Sequence, residues 1–107
     1  MDIEQYDIIL VNLDPTKGSE IKKTRPCLVI SPNEMNKYLR TVVVAPMTTA
    51  EKTYPTRVII HHDDKIGAAA IDQIRTKDKS RVIKSLGKIS REEIDKCKAV
   101  IQETYVH

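Results

Sequence analysis

Short apolar runs alternate with polar turns along most of this chain. The pattern predicts six β-strands, at Asp7–Leu13, Pro26–Ile30, Thr41–Ala45, Thr56–Ile60, Ala68–Ile74 and Arg81–Ile89. Glycine or proline stands close to most of the predicted strand ends, where chain reversals are expected. This spacing favours a small, mostly antiparallel barrel or curled sheet, formed by a single domain over residues 1–107.

The C-terminal segment has a helical period instead. Ser90 and Glu93 have the spacing of a capping box, in which each side chain satisfies a backbone N–H group at the helix start. An apolar stripe follows at helical spacing, formed by Ile94, Cys97, Val100, Ile101 and Tyr105. The stripe predicts a terminal helix that covers an open side of the sheet. A single helical turn is predicted at Asn33–Leu39.

Composition limits how the core is built and which ligands suit it. The 107 residues include no Trp, no Phe and four Tyr, so the core must be aliphatic, and base stacking on aromatic side chains is disfavoured. Cys27 and Cys97 fall on apolar positions and are expected to be buried thiols, with no spacing typical of disulfides or zinc. No signal peptide or membrane span is predicted, and the expected location is the cytoplasm.

The positive charge is concentrated in two segments, although the net charge is only +3. One segment runs from Lys17 to Arg25, and the other runs from Arg75 to Lys88. Such clusters indicate a polyanionic partner. Arg25 stands out because a guanidinium at the start of a strand has a fixed direction and can bind a phosphate through two hydrogen bonds. A surface hairpin with ordinary solubilising charge is the alternative.

Five short motifs occur in order along the chain and together carry a family resemblance. They are Asn12-Leu13-Asp14-Pro15-Thr16, Gly18-Ser19-Glu20, Thr24-Arg25-Pro26, Ala45-Pro46-Met47-Thr48-Thr49 and Asp72-Gln73-Ile74-Arg75-Thr76. In this order and spacing they closely resemble the MazF/PemK (Kid) family of toxin endoribonucleases. The resemblance extends from Tyr6 to the terminal helix.

The resemblance implies a fold, an activity and two protein partners. The implied fold is mainly β (α+β): a small antiparallel SH3-like barrel, related to that of the gyrase poison CcdB and closed by a C-terminal helix. The implied activity is sequence-specific cleavage of single-stranded RNA, usually messenger RNA, without a metal ion or other cofactor. The products would carry a 2′,3′-cyclic phosphate and a 5′-hydroxyl. The implied partners are a second copy of the chain, in a homodimer, and a cognate antitoxin.

By the same resemblance, Arg25 and Thr48 are the expected catalytic residues. Arg25 suits stabilisation of growing negative charge, whereas a free guanidinium is a poor general base because its pKa is above about 12. Pro46 is expected to end a strand and to leave the Thr48 hydroxyl exposed at the sheet rim, where it could contact a phosphoryl oxygen. A turn whose hydroxyl groups bond to their own backbone is the alternative.

Further residues are expected to contact RNA. They are Lys17, Ser19, Glu20, Lys22, Thr49, Asp72, Gln73 and Arg75. Alternation along the predicted strand would place Asp72 and Gln73 on opposite faces, so that only one faces the RNA. Some relatives carry a catalytic arginine where this chain has Ala70, and some carry a histidine where it has Ser19. A mechanism that needs those two side chains is therefore not expected here.

The run His61-His62-Asp63-Asp64 has the composition of a metal or catalytic cluster. Neighbouring residues in a strand point to opposite faces, so the two imidazoles cannot easily serve one phosphate together, and a solvated strand end leading into a turn is expected. Two functions besides RNA cleavage remain open for the whole chain. One is gyrase poisoning by a protein of the same fold, and the other is a non-catalytic barrel that binds RNA or protein.

Overall fold

A computed structural model describes residues 2–12, 24–49 and 54–106 of the chain. Seven strands and two α-helices lie in these ranges. They are β1 (Asp7–Asn12), β2 (Thr24–Val29), α1 (Asn33–Tyr38), β3 (Thr41–Thr49), β4 (Arg57–His62), β5 (Lys65–Ala70), β6 (Arg75–Asp78), β7 (Val82–Lys88) and α2 (Arg91–Tyr105). Two short 3₁₀ turns, Ile71–Gln73 and Lys79–Arg81, flank β6. The expected fold class, a mainly β antiparallel sheet with a C-terminal helix, is confirmed.

The strands form one curved antiparallel sheet in the order β4-β5-β3-β2-β1-β7, with β6 also paired to β3. Strand β3 is the centre of the sheet because it pairs with β6 over its first half, with β2 near its middle and with β5 at its end. The prediction that Pro46 ends this strand is wrong, since β3 continues to Thr49. Proline is tolerated there because Pro46 lies in the gap between the β6 ladder, which ends at Val44, and the β5 ladder, which begins at Met47.

The core forms two clusters, one on each face of the sheet. The larger cluster lies beneath α2 and includes Ile8, Leu28, Ile60, Ile71 and Cys97. The smaller cluster is built from alternate residues of β1, β2 and β3: Ile9, Val11, Cys27, Val29, Val42 and Val44. Both cysteines are buried, as expected, and burial raises the pKa of the Cys97 thiol to about 12.

The predicted capping box is present at the start of α2. The Ser90 hydroxyl accepts a hydrogen bond from the Glu93 N–H at 3.1 Å, and the Glu93 carboxylate accepts one from the Ser90 N–H at 2.9 Å. The second Glu93 oxygen accepts a further bond from the His61 N–H of β4 at 2.8 Å. The same carboxylate therefore caps the helix and joins it to the outermost strand of the sheet.

The predicted strand Ala68–Ile74 is wrong in its second half. The strand ends at Ala70, and Ile71 to Gln73 form a 3₁₀ turn. Ile71 is fully buried beneath α2, and its carbonyl accepts a hydrogen bond from the Tyr105 hydroxyl at 2.6 Å. The chain turns here because the side chain of Ile71 packs in the core beneath α2. A strand that continued straight would place this side chain outside the core.

Among the described residues, no helix is both long enough and apolar enough to cross a membrane.

Candidate active site

The fold brings the two expected catalytic residues to one groove. Cys27 of β2 pairs with Pro46 of β3, and this antiparallel ladder ends there. Beyond it, Thr48 pairs with Ala68 of β5, and Arg25 pairs with Val11 of β1. Arg25, Thr48 and Thr49 line the same groove. We call the part of the groove that these three residues form the catalytic rim.

Arg75, another expected RNA contact, lies on the face of the smaller core cluster. Arg75 of β6 pairs with Val44, whose side chain belongs to that cluster together with that of Cys27. Burial raises the pKa of the Cys27 thiol to about 11, against the opposing effect of the positive charges of Arg25, Lys77 and Arg75. Arg75 does not itself line the groove.

The rim side chains are available to a ligand. Arg25 is exposed, and it takes part in none of the ion pairs formed within the described residues. Thr48 is half-buried, and its hydroxyl lies 3.2 Å from the Thr49 carbonyl and 3.5 Å from the Ala68 carbonyl. A hydroxyl bonded to nearby backbone was the alternative to a catalytic Thr48, although here Thr48 lies in a strand and not in the turn which that alternative assumed. The hydroxyl retains its acceptor lone pairs, and rotation would free its proton for a phosphate.

A groove of about 640 Å³ begins at the rim and runs toward the β4–β5 hairpin. Arg25, Thr48 and Thr49 lie at the rim end. Apolar side chains from both halves of the sheet line its interior, namely Ile8, Met47, Ile60, Ile66 and Leu86. His62, Asp63 and Lys65, at the tip of the β4–β5 hairpin, complete the lining. A concave apolar surface with a few polar groups is typical of a ligand site.

The expected RNA contacts at Asp72 and Gln73 are in a different place, because neither residue lines this groove. Both are exposed in the 3₁₀ turn after β5, so the predicted strand alternation is wrong for them. Asp72 accepts a hydrogen bond from Arg57 at 3.0 Å. Burial acts to raise the pKa of the Asp72 carboxyl, but hydrogen bonds from Arg57 and Thr56 outweigh it and hold that pKa below its usual range. The carboxylate therefore has a structural partner already.

His62 is a groove residue that the sequence interpretation missed. Its Nε2 atom lies 2.7 Å from the Leu86 carbonyl of β7 and 3.4 Å from an Asp63 carboxylate oxygen. The strand-end prediction holds for His61, which is exposed, but only 24% of the His62 side chain is accessible. Contact with Leu86 could not be foreseen, because it depends on how the sheet curls. The alternation of the two histidines did indicate that one of them faces inward.

Four expected RNA-binding residues, Lys17, Ser19, Glu20 and Lys22, lie outside the residues that the structure describes. Thr49 is described and is exposed at the end of β3. Within the described ranges, no group of three or more His, Cys, Asp or Glu side chains is arranged to hold a metal ion.

The sequence of the chain is similar to a family of toxins and to individual endoribonucleases. Residues 4–105 match the family model described as the PemK-like, MazF-like toxin of type II toxin–antitoxin systems. The chain is 35% identical over 96 residues to the endoribonuclease toxin MazF of Escherichia coli (strain K12), covering 89% of this chain and 86% of that protein. It is 37% identical over 90 residues to the endoribonuclease MazF of Staphylococcus epidermidis, covering 78% of this chain and 75% of that protein.

Solved structures share the fold. A MazE–MazF complex from Deinococcus radiodurans contains a chain that matches with a TM-score of 0.82 at 21% identity, covering 97% of this chain and 96% of that one. A mycobacterial endoribonuclease in complex with its cognate antitoxin matches with a TM-score of 0.80 at 22% identity, covering 94% and 92%.

Proposed function

The chain belongs to the PemK-like, MazF-like toxin family of type II toxin–antitoxin systems, and on that premise we propose that it is a sequence-specific, metal-independent endoribonuclease. The proposed substrate is single-stranded messenger RNA in the cytoplasm. The observation that carries the proposal is the catalytic rim, where an exposed guanidinium and a hydroxyl line one groove. The named endoribonuclease relatives cover most of the chain and support the same activity.

The proposed reaction uses the 2′-hydroxyl of the RNA as the nucleophile. A bond forms between the 2′-oxygen and phosphorus, the bond from phosphorus to the 5′-oxygen breaks, and the products carry a 2′,3′-cyclic phosphate and a 5′-hydroxyl. The 2′-hydroxyl proton passes to a base, and the departing 5′-oxygen takes up a proton. The phosphorus centre carries additional negative charge between these two events.

Arg25 is proposed to stabilise that additional charge. A guanidinium held in place by a strand needs little rearrangement as charge develops on the phosphoryl oxygens, which is the condition for strong electrostatic catalysis. It can also donate a proton toward the leaving oxygen. Thr48 is proposed to donate a hydrogen bond to a phosphoryl oxygen from within the same groove. Arg75 is exposed on β6 and is proposed to bind a neighbouring phosphate.

We also propose two protein partners. One is a second copy of this chain in a homodimer. The other is a cognate antitoxin that occupies the positively charged rim and groove. Two of the solved neighbours are complexes of this kind, a MazE–MazF complex and an endoribonuclease with its cognate antitoxin, and both match over more than nine-tenths of this chain.

The proposed chemistry is tested with two forms of one RNA, with excess EDTA present throughout. One form is all-ribose, and the other has a single 2′-deoxy substitution at the mapped cleavage site. We expect cleavage of the first RNA at an unchanged rate in EDTA and no cleavage of the second at the substituted position. Activity that disappears in EDTA and returns with added metal would contradict the metal-independent mechanism. Cleavage at the deoxy position would contradict attack by the 2′-hydroxyl.

A further inference from the structure

The groove joins the catalytic rim to the seam of the sheet. Strands β4 and β7 stand at the two ends of the strand order, and among the described residues no backbone ladder joins them. The His62 ring crosses this seam, because it belongs to β4 and bonds to the Leu86 carbonyl of β7 at 2.7 Å. The ring is therefore fixed in the wall of the groove that Arg25 and Thr48 also line.

The His62 ring is held by one hydrogen bond, by the anchoring of the residue before it and by the space that Gly87 leaves open. The carbonyl of Leu86 binds its Nε2 atom, and the Glu93 carboxylate holds the N–H of the preceding residue, His61. The ring also packs against Gly87, where the Cβ atom of any other residue would lie only 2.7 Å from the His62 Cε1 atom. Gly87 also has φ +127°, a conformation that other residues rarely adopt. Glycine at this position thus leaves space that the ring occupies.

The hydrogen bond to Leu86 determines what the ring offers to a ligand. A carbonyl oxygen only accepts hydrogen bonds, so Nε2 must carry the proton. In the neutral ring, Nδ1 then has a lone pair and acts as an acceptor. No hydrogen bond within the described part of the chain involves Nδ1. His62 therefore lines the groove with a flat ring that has one acceptor nitrogen without a partner among the described residues.

The groove interior between the rim and His62 matches a nucleobase better than a phosphate. Its lining includes the side chains of Ile8, Ile60 and Leu86, which offer no hydrogen bonds to a phosphate oxygen. A nucleobase has an apolar face and polar edges, and unstacked RNA bases are recognised through both. The cations in the lining, Arg25 and Lys65, supply the positive charge that the phosphates beside such a base need.

We propose that this groove is a nucleobase subsite beside the cleavage point and that His62 helps to set sequence preference. Its Nδ1 atom accepts a hydrogen bond from the exocyclic amino group of adenine or cytosine, at the position where guanine and uracil carry a carbonyl oxygen, so adenine or cytosine is favoured over uracil at one position next to the cleaved bond. This inference rests on the proposed RNA cleavage, and it names the part of the same site that selects the base.

The test compares the wild-type protein with His62→Ala and His62→Phe on an RNA pool that is randomised around the cleavage site. His61→Ala is the matched control, because that neighbouring ring is exposed and does not line the groove. We expect the wild type and the control to prefer adenine or cytosine over uracil by about 5- to 10-fold at one position, the discrimination that one hydrogen bond provides. In both His62 variants the preference should fall to within about twofold. His62→Phe keeps a flat ring, which separates loss of the acceptor from loss of packing.

Two outcomes would overturn the proposal. One is an unchanged preference in both His62 variants, and the other is an equal loss of cleavage at every sequence, which would assign His62 to proton transfer or to folding. Equilibrium binding of short RNAs that differ at the one position is measured in parallel. If the wild type binds with this preference but does not cut, the base subsite stands and the proposed cleavage fails. If the binding preference is absent from the wild type, the subsite fails.

Discussion

The catalytic rim and the helix side of the sheet use charged residues in opposite ways. On the helix side, Asp72 is bonded to Arg57, and Glu93 binds two backbone N–H groups. At the rim, Arg25 is exposed and lacks an ion-pair partner among the described residues. A polar group that is already paired stabilises the fold, whereas an accessible cation can bind a ligand. Mutations at the two places should therefore affect different properties.

The largest difference is expected between two arginines. Arg25→Ala should lower the cleavage rate by about 10²- to 10³-fold, because it removes a positioned donor for transition-state charge. Arg57→Ala is the matched control, since it removes the same side chain from the Asp72 ion pair on the helix side. It should change the cleavage rate by less than about threefold. Cleavage assays and thermal melting of both variants test the comparison, and similar losses of activity in the two would contradict it.

A smaller loss of activity is expected from the rim threonine. Thr48→Val keeps the shape of the side chain but removes the hydroxyl, and the cleavage rate should fall by about 10- to 100-fold because one donor to the phosphate is lost. Thr48→Ser keeps the hydroxyl and should retain most of the activity. Initial rates on one RNA substrate measure both variants. Equal losses in the two would assign the residue to packing within β3.

On the helix side, the largest effect should be on stability, at Glu93. Burial acts to raise the pKa of this carboxyl, but hydrogen bonds from the N–H groups of Ser90 and His61 outweigh it and lower the pKa. Glu93→Gln should reduce the free energy of unfolding by about 1–3 kcal/mol at pH 7, because bonds to a charged acceptor are lost. Glu92→Gln, an exposed change in the same helical turn, should have little effect.

The pH dependence of stability provides a second test of the Glu93 contacts. A carboxyl whose pKa is lower in the folded state binds fewer protons there than in the unfolded chain, so its contribution is complete above the unfolded pKa of about 4.3. That contribution is lost as the pH falls through the folded pKa. The stability difference between wild type and Glu93→Gln should therefore shrink during acid titration by urea unfolding. A constant difference from pH 7 down to pH 2 would contradict the assignment.

The smallest effect is expected at the Asp72 ion pair. About a third of the Asp72 side chain is accessible, at 34%, so solvent screens its interaction with Arg57. Asp72→Asn should cost about 0.5 kcal/mol of unfolding free energy and leave cleavage nearly unchanged. Chemical denaturation with parallel cleavage assays measures both quantities. A loss of activity without a loss of stability would return Asp72 to the list of RNA contacts.

Local patterns predicted most of the strands and the capped helix, because each depends on neighbouring residues, but they missed β6. The roles of Arg25 and Thr48 were predicted from the family resemblance, and the fold places both in one groove. The path of β3 past Pro46 was not predictable from local sequence, since it depends on pairing with the distant strands β6 and β5. The 3₁₀ turn at Asp72 depends on Ile71 being covered by α2. These features arise from contacts between segments far apart in the sequence.

The turn between β4 and β5 was also difficult to predict from local sequence. Asp63 and Asp64 both have positive φ values, 51° and 62°, as a two-residue type I′ hairpin requires. Asparagine and glycine are the usual signals for this turn, and neither occurs at the two positions. The tight reversal directs His62 into the groove, so the sequence cue for this residue was weak.

Arg25 and Thr48 are proposed to act on one phosphate from the groove that both residues line. A double-mutant cycle on the cleavage rate at saturating RNA measures this coupling, using wild type, Arg25→Ala, Thr48→Val and the double variant. Residues that act as a unit are strongly non-additive. Thr48→Val should cost about 10- to 100-fold in the wild type but less than about threefold once Arg25 is absent. An equal cost in both backgrounds would show that the two residues act independently and would contradict the shared phosphate.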